Sequence, residues 1–228
     1  MKKLLPLFIV SALVAPAVLP AASFEGKISI KVTSGREKPI DLTYSLKGGK
    51  LRIDLPSQDG MGGMIMDPEK REMIMMMDEQ KMYMTMTLPE AAAETAAKKS
   101  NDATMEKTHE TEKILGYTAT KYIVTDKSGT TDMWLAEGLG TYMSFNQPNP
   151  MSRSKKSAAK GWEQALAGKE LFPLRVVGKD KAAKETYRME TTSVEKVSLP
   201  DSLFTPPEDY KKFDIGGMLK GLIPGFGK

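Results

Sequence analysis

The stretch Met64-Ile65-Met66-Asp67-Pro68-Glu69-Lys70-Arg71-Glu72-Met73-Ile74-Met75-Met76-Met77-Asp78-Glu79-Gln80-Lys81-Met82-Tyr83-Met84-Thr85-Met86-Thr87-Leu88 decides the reading of this chain. Two polar tetrapeptides divide it. Asp67-Pro68-Glu69-Lys70 predicts a type I turn, because proline presets the first central φ. Asp78-Glu79-Gln80-Lys81 predicts a second turn. The runs between them, Met64–Met66, Glu72–Met77 and Met82–Leu88, are too short for helices and read as strands of an antiparallel meander. With a side-chain period of two, Met73, Met75 and Met77 share one sheet face. Met82, Met84 and Met86 share one face of the next strand, with Tyr83, Thr85 and Thr87 opposite. In the middle strand Ile74 and Met76 make the second face apolar as well.

The same grammar extends towards the N-terminus. Ile28, Ile30 and Val32 alternate with Lys27, Ser29, Lys31 and Thr33, and Leu42, Tyr44 and Leu46 repeat the pattern. Lys47-Gly48-Gly49-Lys50 reads as a hairpin turn into Leu51, Ile53 and Leu55. A loop is expected over Pro56–Gly63. On the other side, Pro89–Lys107 is rich in Ala, Glu and Lys and predicts an exposed helix or a mobile excursion, bounded at about residues 89–108. Strands resume at Ile114-Leu115-Gly116-Tyr117 and Ala119–Asp126, turn through Lys127-Ser128-Gly129, and continue over Thr131–Ala136. Helical material is expected at Leu139–Phe145, a Pro-rich basic loop at Gln147–Lys160, and a short amphipathic helix at Trp162–Ala167. Leu171–Val177 and Glu185–Val197 return to the sheet. Nine or ten antiparallel strands with one or two late helical pieces make an α+β chain: a strongly curved antiparallel sheet with helices on one face.

The N-terminus reads as an export signal. Lys2 and Lys3 precede the uncharged apolar stretch Leu4–Leu19, and Ala21 and Ser23 are small residues at the −3 and −1 positions of a cleavage site before Phe24. The apolar stretch is interrupted by Pro6 and Pro16 and falls short of the roughly 20 residues a spanning helix needs. The expected organisation is a cleaved signal peptide at 1–23, a single domain at 24–213 and a flexible Gly-rich tail at 214–228. No cysteine occurs in the 228 residues. That excludes disulfides, thiolate metal sites, a cysteine nucleophile and a lipid-modified N-terminal cysteine. The expected location is the periplasm, without a lipid anchor. Loss of Lys2 and Lys3 on cleavage takes the formal charge from +4 to +2, too small a balance to support nucleic-acid binding.

A set of landmarks resembles one bacterial exported family of unknown function. They are Phe24-Glu25-Gly26-Lys27-Ile28, Ile114-Leu115-Gly116-Tyr117-Thr118-Ala119-Thr120-Lys121-Tyr122, Phe172-Pro173-Leu174-Arg175, and Leu203-Phe204-Thr205-Pro206-Pro207-Glu208-Asp209-Tyr210-Lys211-Lys212. That family is similar to the periplasmic lipoprotein carriers LolA and LolB. The resemblance implies a half-open antiparallel β-barrel with a small helical lid on its concave face, and carries no active-site residues with it.

Methionine is the compositional anomaly: 17 in the chain, ten of them between Met61 and Met86. Three readings stand beside one another. Methionine fills irregular cores, because it is flexible and tolerates poor fit. It also lines adaptable apolar pockets, where Met64, Met66, Met73, Met75, Met77, Met82, Met84 and Met86 would hold an acyl chain or a lipidated partner and Trp162 would belong to the lid. Thioethers, finally, are soft ligands that favour Cu(I), and Met61-Gly62-Gly63-Met64-Ile65-Met66 sits beside a glycine loop. Against copper, same-face sulfurs along one strand are about 6 to 7 Å apart, twice the rise per residue.

Other motifs fall away. His109 is the sole histidine, which excludes a two-histidine metal motif, and no nucleophile elbow accompanies it. Ser152-Arg153-Ser154-Lys155 and Ser157-Ala158-Ala159-Lys160 match a serine–lysine motif by chance in a Ser/Lys-rich loop. Asp126, Ser128, Thr130, Asp132 and Glu137 mimic calcium-loop spacing, but Thr131 stands where the turn needs glycine. Arg153, Lys155, Lys156 and Lys160 read as a solvated surface. Trp134 and Trp162 are expected as core anchors. The sequence therefore predicts a monomeric, non-catalytic domain without a cofactor, a resident metal or stable membrane insertion. Its expected partners are lipid or lipoprotein acyl chains, and copper binding and a purely structural role remain as alternatives.

Overall fold

The computed structural model describes residues 24–35, 37–58, 61–87, 103–143 and 161–213. The predicted signal peptide, the basic loop with its serine–lysine matches, and the Gly-rich tail lie outside these residues. Twelve strands form one open sheet. They are β1 (Gly26–Ser34), β2 (Ile40–Lys47), β3 (Lys50–Gln58), β4 (Met61–Asp67), β5 (Glu72–Met77), β6 (Met82–Thr87), β7 (Thr104–Ile114), β8 (Tyr117–Asp126), β9 (Gly129–Ala136), β10 (Phe172–Asp180), β11 (Glu185–Lys196) and β12 (Lys211–Lys212). Their order is β12-β6-β5-β4-β3-β2-β1-β11-β10-β9-β8-β7, so two antiparallel meanders meet where β1 pairs with β11. The sheet is curved and does not close, and among the described residues one helix, α1 (Gly161–Leu166), packs on its inner face.

The inner face carries the main core. Ile28, Tyr44, Ile53 and Met64 stand opposite one another across β1 to β4 and are all buried. Leu135, Phe172, Val176 and Met189 join them from the second meander, and Trp162 and Leu166 from the helix. The turns obey local chemistry. Gly48 and Gly49 have φ of 53° and 77°, the left-handed pair a two-residue hairpin needs. The turn after β4 is closed by Arg71 N–H donating to the Pro68 carbonyl (3.2 Å) and Lys70 N–H to Asp67 Oδ1 (3.1 Å).

The two halves of the outer face are finished differently. Over β7 to β11 it is a charged surface around Trp134. Arg175 pairs with Glu112 (2.8 Å), Lys121 with Glu110 (3.1 Å) and Lys179 with Asp132 (2.9 Å), while Lys121 and Arg175 also lie against the Trp134 ring. Over β3 to β6 a C-terminal strap, residues 199–213, lies across the strands. Leu199 and Phe204 bury themselves against Ile65, Ile74 and Met76. Arg52 donates to the Leu203 carbonyl (3.1 Å), Tyr210 to Asp78 (2.9 Å), and Lys81 pairs with Asp209 (2.8 Å). The strap explains why Ile74 and Met76 make the second face of β5 apolar: that face is covered too.

Four sequence expectations need correction. Leu139–Met143 is not helical. Gly138 and Gly140 hold φ of 80° and 82°, and the irregular chain around and after them buries Leu139 and Tyr142 in the core. The loop expected at 56–63 belongs largely to β3 and β4, because Gly62 and Gly63 are strand residues where a Cβ would strike the Asp78 carboxylate and, at 2.8 Å, the Ile53 carbonyl. The excursion expected to residue 108 gives way to strand at Thr104; β7 is an edge strand, charged along its length, and so lacks an apolar stripe. The fourth is β12, for which the residues predict no strand, since two residues leave no periodicity.

Leu115 is the one strained turn residue we single out. It sits at φ 51° at the β7–β8 hairpin and is 46% exposed. A left-handed conformation costs an ordinary L-residue about 1 kcal/mol, and asparagine tolerates it better. Leu115→Asn is expected to raise stability by about 1 kcal/mol and the melting temperature by a few degrees. An unchanged or lower melting temperature would show that the leucine side chain makes a compensating contact.

Candidate functional site

Strand register brings the methionines together. Met75 of β5 faces Met64 of β4 on one side and Met84 of β6 on the other, and Met73 lies in the same way between Met66 and Met86. Met77 opposes Met82. All eight share the inner face, in two rows running across three strands and a third pair beyond. Directly opposed residues on neighbouring strands bring their Cβ atoms to about 4.5–5.5 Å, so the side chains in each row touch.

Burial divides the set. Met64, Met66 and Met73 are buried in the main core with Met86 packed against it, which suits the core-filling reading. Met84 is buried as well. Met75, Met77 and Met82 are only half-buried and, among the described residues, belong to neither apolar cluster. Thioether surface therefore continues past the filled core towards the β5–β6 turn.

Trp162 is placed differently from a pocket wall. It is 2% exposed, its ring 5.6 Å from Tyr142 and 6.1 Å from Tyr187, and Tyr44 and Phe172 complete the aromatic group. The Tyr44 hydroxyl donates to the Met143 carbonyl (3.2 Å), tying the segment after β9 to β2. Glu163, the neighbour of Trp162 in α1, is also buried. Burial raises the phenol pKa values of Tyr44, Tyr142 and Tyr187, and the Glu163 carboxylate adds to the rise in each, so all three stay neutral at physiological pH. The group joins the lid helix to the sheet by packing. Sequence reasoning missed Tyr142, Tyr187 and Glu163 because no periodicity marks the first and a polar residue in a short helix gives no sign of burial.

The rejected motifs stay apart in space. His109 is exposed on the edge strand β7. Asp126 accepts the Ser128 backbone N–H (2.7 Å) and hydroxyl within a tight hairpin, as a turn residue does. Among the described residues no group of three or more His, Asp or Glu side chains converges as metal ligands would. No described helix is long and apolar enough to cross a membrane.

Several solved structures align with this chain at low sequence identity. An uncharacterised conserved protein from Thermus thermophilus aligns with TM-score 0.48 at 8% identity, over 83% of this chain and 90% of that one. The Pseudomonas aeruginosa MucA/MucB complex aligns at 0.45 and 7%, over 81% and 56%. A LolA superfamily protein from Nitrosomonas europaea aligns at 0.32 and 13%, over 82% and 91%. None of the curated proteins matches the chain. A family model does match, over residues 24–210, and on that match the chain belongs to the family described as Domain of unknown function (DUF4412).

Proposed function

We propose that this chain is a non-catalytic periplasmic binding protein or carrier that receives an apolar ligand, an acyl chain or the lipid of a modified partner, on its methionine-lined inner face. The observation that carries the reading is the division of burial along the methionine rows. A core needs Met64, Met66 and Met73, and it does not need Met75, Met77 and Met82 held half-buried beyond it on the same face. Unbranched thioethers repack cheaply, which suits a surface that meets chains of varied shape. The periplasmic location rests on the signal-like residues 1–23.

The test is uptake of a fluorescent fatty acid by delipidated protein. Binding is expected, and Met77→Gln with Met82→Gln should weaken it about tenfold, since each removes part of a half-buried apolar contact worth about 1 kcal/mol. No uptake at any concentration would sink the reading. A second reading, Cu(I) binding, draws on the row Met64–Met75–Met84, in which three thioethers lie side by side on strands about 4.8 Å apart. It predicts tight Cu(I) uptake that Met75→Leu abolishes and fatty-acid binding that the same variant leaves intact.

A further inference from the structure

A cleft of about 340 Å³ opens between the end of α1 and the strands β7 and β8. Met105, Tyr122, Ala165 and Leu171 form its apolar wall, each packed against the main core. Lys107, from the edge strand, and Lys169, just past the helix, are its two charged lining residues, and both are exposed. The volume lies at the small end of ligand pockets, which run from about 300 to 1,000 Å³. It suits the head and upper chain of a lipid better than a whole lipid.

The two lysines are the informative part. Neither has a carboxylate within ion-pair distance among the described residues, and Lys107 leans instead over the Tyr122 ring at 5.9 Å. Glu106 and Glu170, their neighbours in the chain, are not part of the cleft wall. On the outer face of the sheet, by contrast, Lys121 of β8 and Arg175 and Lys179 of β10 are each matched to an acid. Two unmatched cations flanking an apolar wall complement one chemical class: an anionic group at the end of an apolar chain.

We propose that this cleft binds the anionic head group of a single-chain amphiphile, with Lys107 and Lys169 as the charge partners and Met105, Tyr122 and Leu171 against the first part of the chain. The cleft lies at the β7–β8 end of the strand order, away from the methionine strands β4 to β6. The inference rests on the reading that this sheet takes an apolar ligand, and adds a place for its head group. A carboxylate and a phosphate monoester share the needed chemistry.

The test compares cis-parinaric acid with its methyl ester on delipidated full-length protein, by fluorescence titration. The two probes have the same chain and differ in charge. The acid is expected to bind about tenfold more tightly, and Lys107→Gln with Lys169→Gln should erase that difference, each cation being worth about a factor of three to five. Lys184→Gln, an exposed lysine remote from the cleft in the chain, should leave the difference intact. High salt should shrink it, because the mouth is open to solvent. Displacement by oleate or by oleoyl lysophosphatidate then names the carboxylate or the phosphate as the better head, and either result supports the proposal. If acid and ester bind equally, or the difference survives in the double variant, the head-group assignment is overturned while the apolar-ligand reading stands. If neither probe binds, both fall.

Discussion

Phe204→Ala is expected to lower stability by about 3 kcal/mol and the melting temperature by about 10 °C. Phe204 is 6% exposed and closes a small core with Ile65, Ile74, Met76 and Leu199 on the outer face of the sheet. Truncating a buried phenylalanine typically costs about 3–5 kcal/mol, and a peripheral cluster that can partly collapse belongs at the low end. Without the Phe204 ring the strap keeps Leu199, the partly buried Leu203 and Tyr210, and mostly exposed polar contacts, too little to hold residues 199–213 in place. The strap should therefore loosen without global unfolding, exposing Ile74 and Met76. Binding of an apolar dye should rise, and the denaturant slope should fall because less surface remains to be exposed. A loss below about 1 kcal/mol with no dye binding would mean that the strap is held elsewhere.

Acid provides the complementary probe of the same element. Hydrogen bonding to Lys47 lowers the pKa of Asp201, and hydrogen bonding to Lys81 lowers that of Asp209. A carboxylate with a lowered folded pKa stabilises the fold above its ordinary range, and that contribution fades as pH falls through the lowered value. Both groups are fully exposed, so solvent screens the pairs and their effect is small. The apolar anchor at Phe204, not the ion pairs, decides whether the strap stays on.

Much of this architecture is legible in the residues. Ile28, Ile30 and Val32 point inward as their alternation requires, and Gly48-Gly49 makes the expected hairpin. The landmark residues also acquire reasons. Gly26 leaves no room for a Cβ against the Glu195 carbonyl, Phe172 fills the core, and Leu203-Phe204 begins the strap. The apolar second face of β5 is visible as Ile74 and Met76, yet its cover lies some 130 residues away in sequence, beyond the reach of local pattern. The edge strand β7 is hidden for the opposite reason: an edge is kept soluble by charge, and charge erases the alternation that reveals a strand. The methionine site is half legible. Period two puts Met73, Met75 and Met77 on one face, but which of them are core depends on what packs above them.

Trp162→Ala should cost about 4 kcal/mol, and it addresses what the lid helix is. The described part of α1 is six residues, and isolated helices shorter than about 12 residues are marginal in water. Its position depends on Trp162 and Leu166 reaching into the core beside Tyr142 and Tyr187. Trp162→Phe should cost less than about 1.5 kcal/mol, because the indole N–H has no hydrogen-bond partner among the described residues and little beyond volume is lost. The chain has two tryptophans, and Trp134 lies half-buried on the charged outer face. The blue-shifted part of the emission therefore belongs to Trp162 and should vanish in both variants. Only the alanine variant should also lose the near-ultraviolet dichroism of the tyrosines that pack around it. If Trp162→Ala costs less than about 1 kcal/mol, the helix is a loosely held lid, and ligand entry beneath it needs no change in the core. If the large loss is found, the helix is a fixed plug. An apolar ligand must then reach the inner face without passing beneath the helix, by the half-buried Met75, Met77 and Met82 near the β5–β6 turn or by the cleft beside β7 and β8.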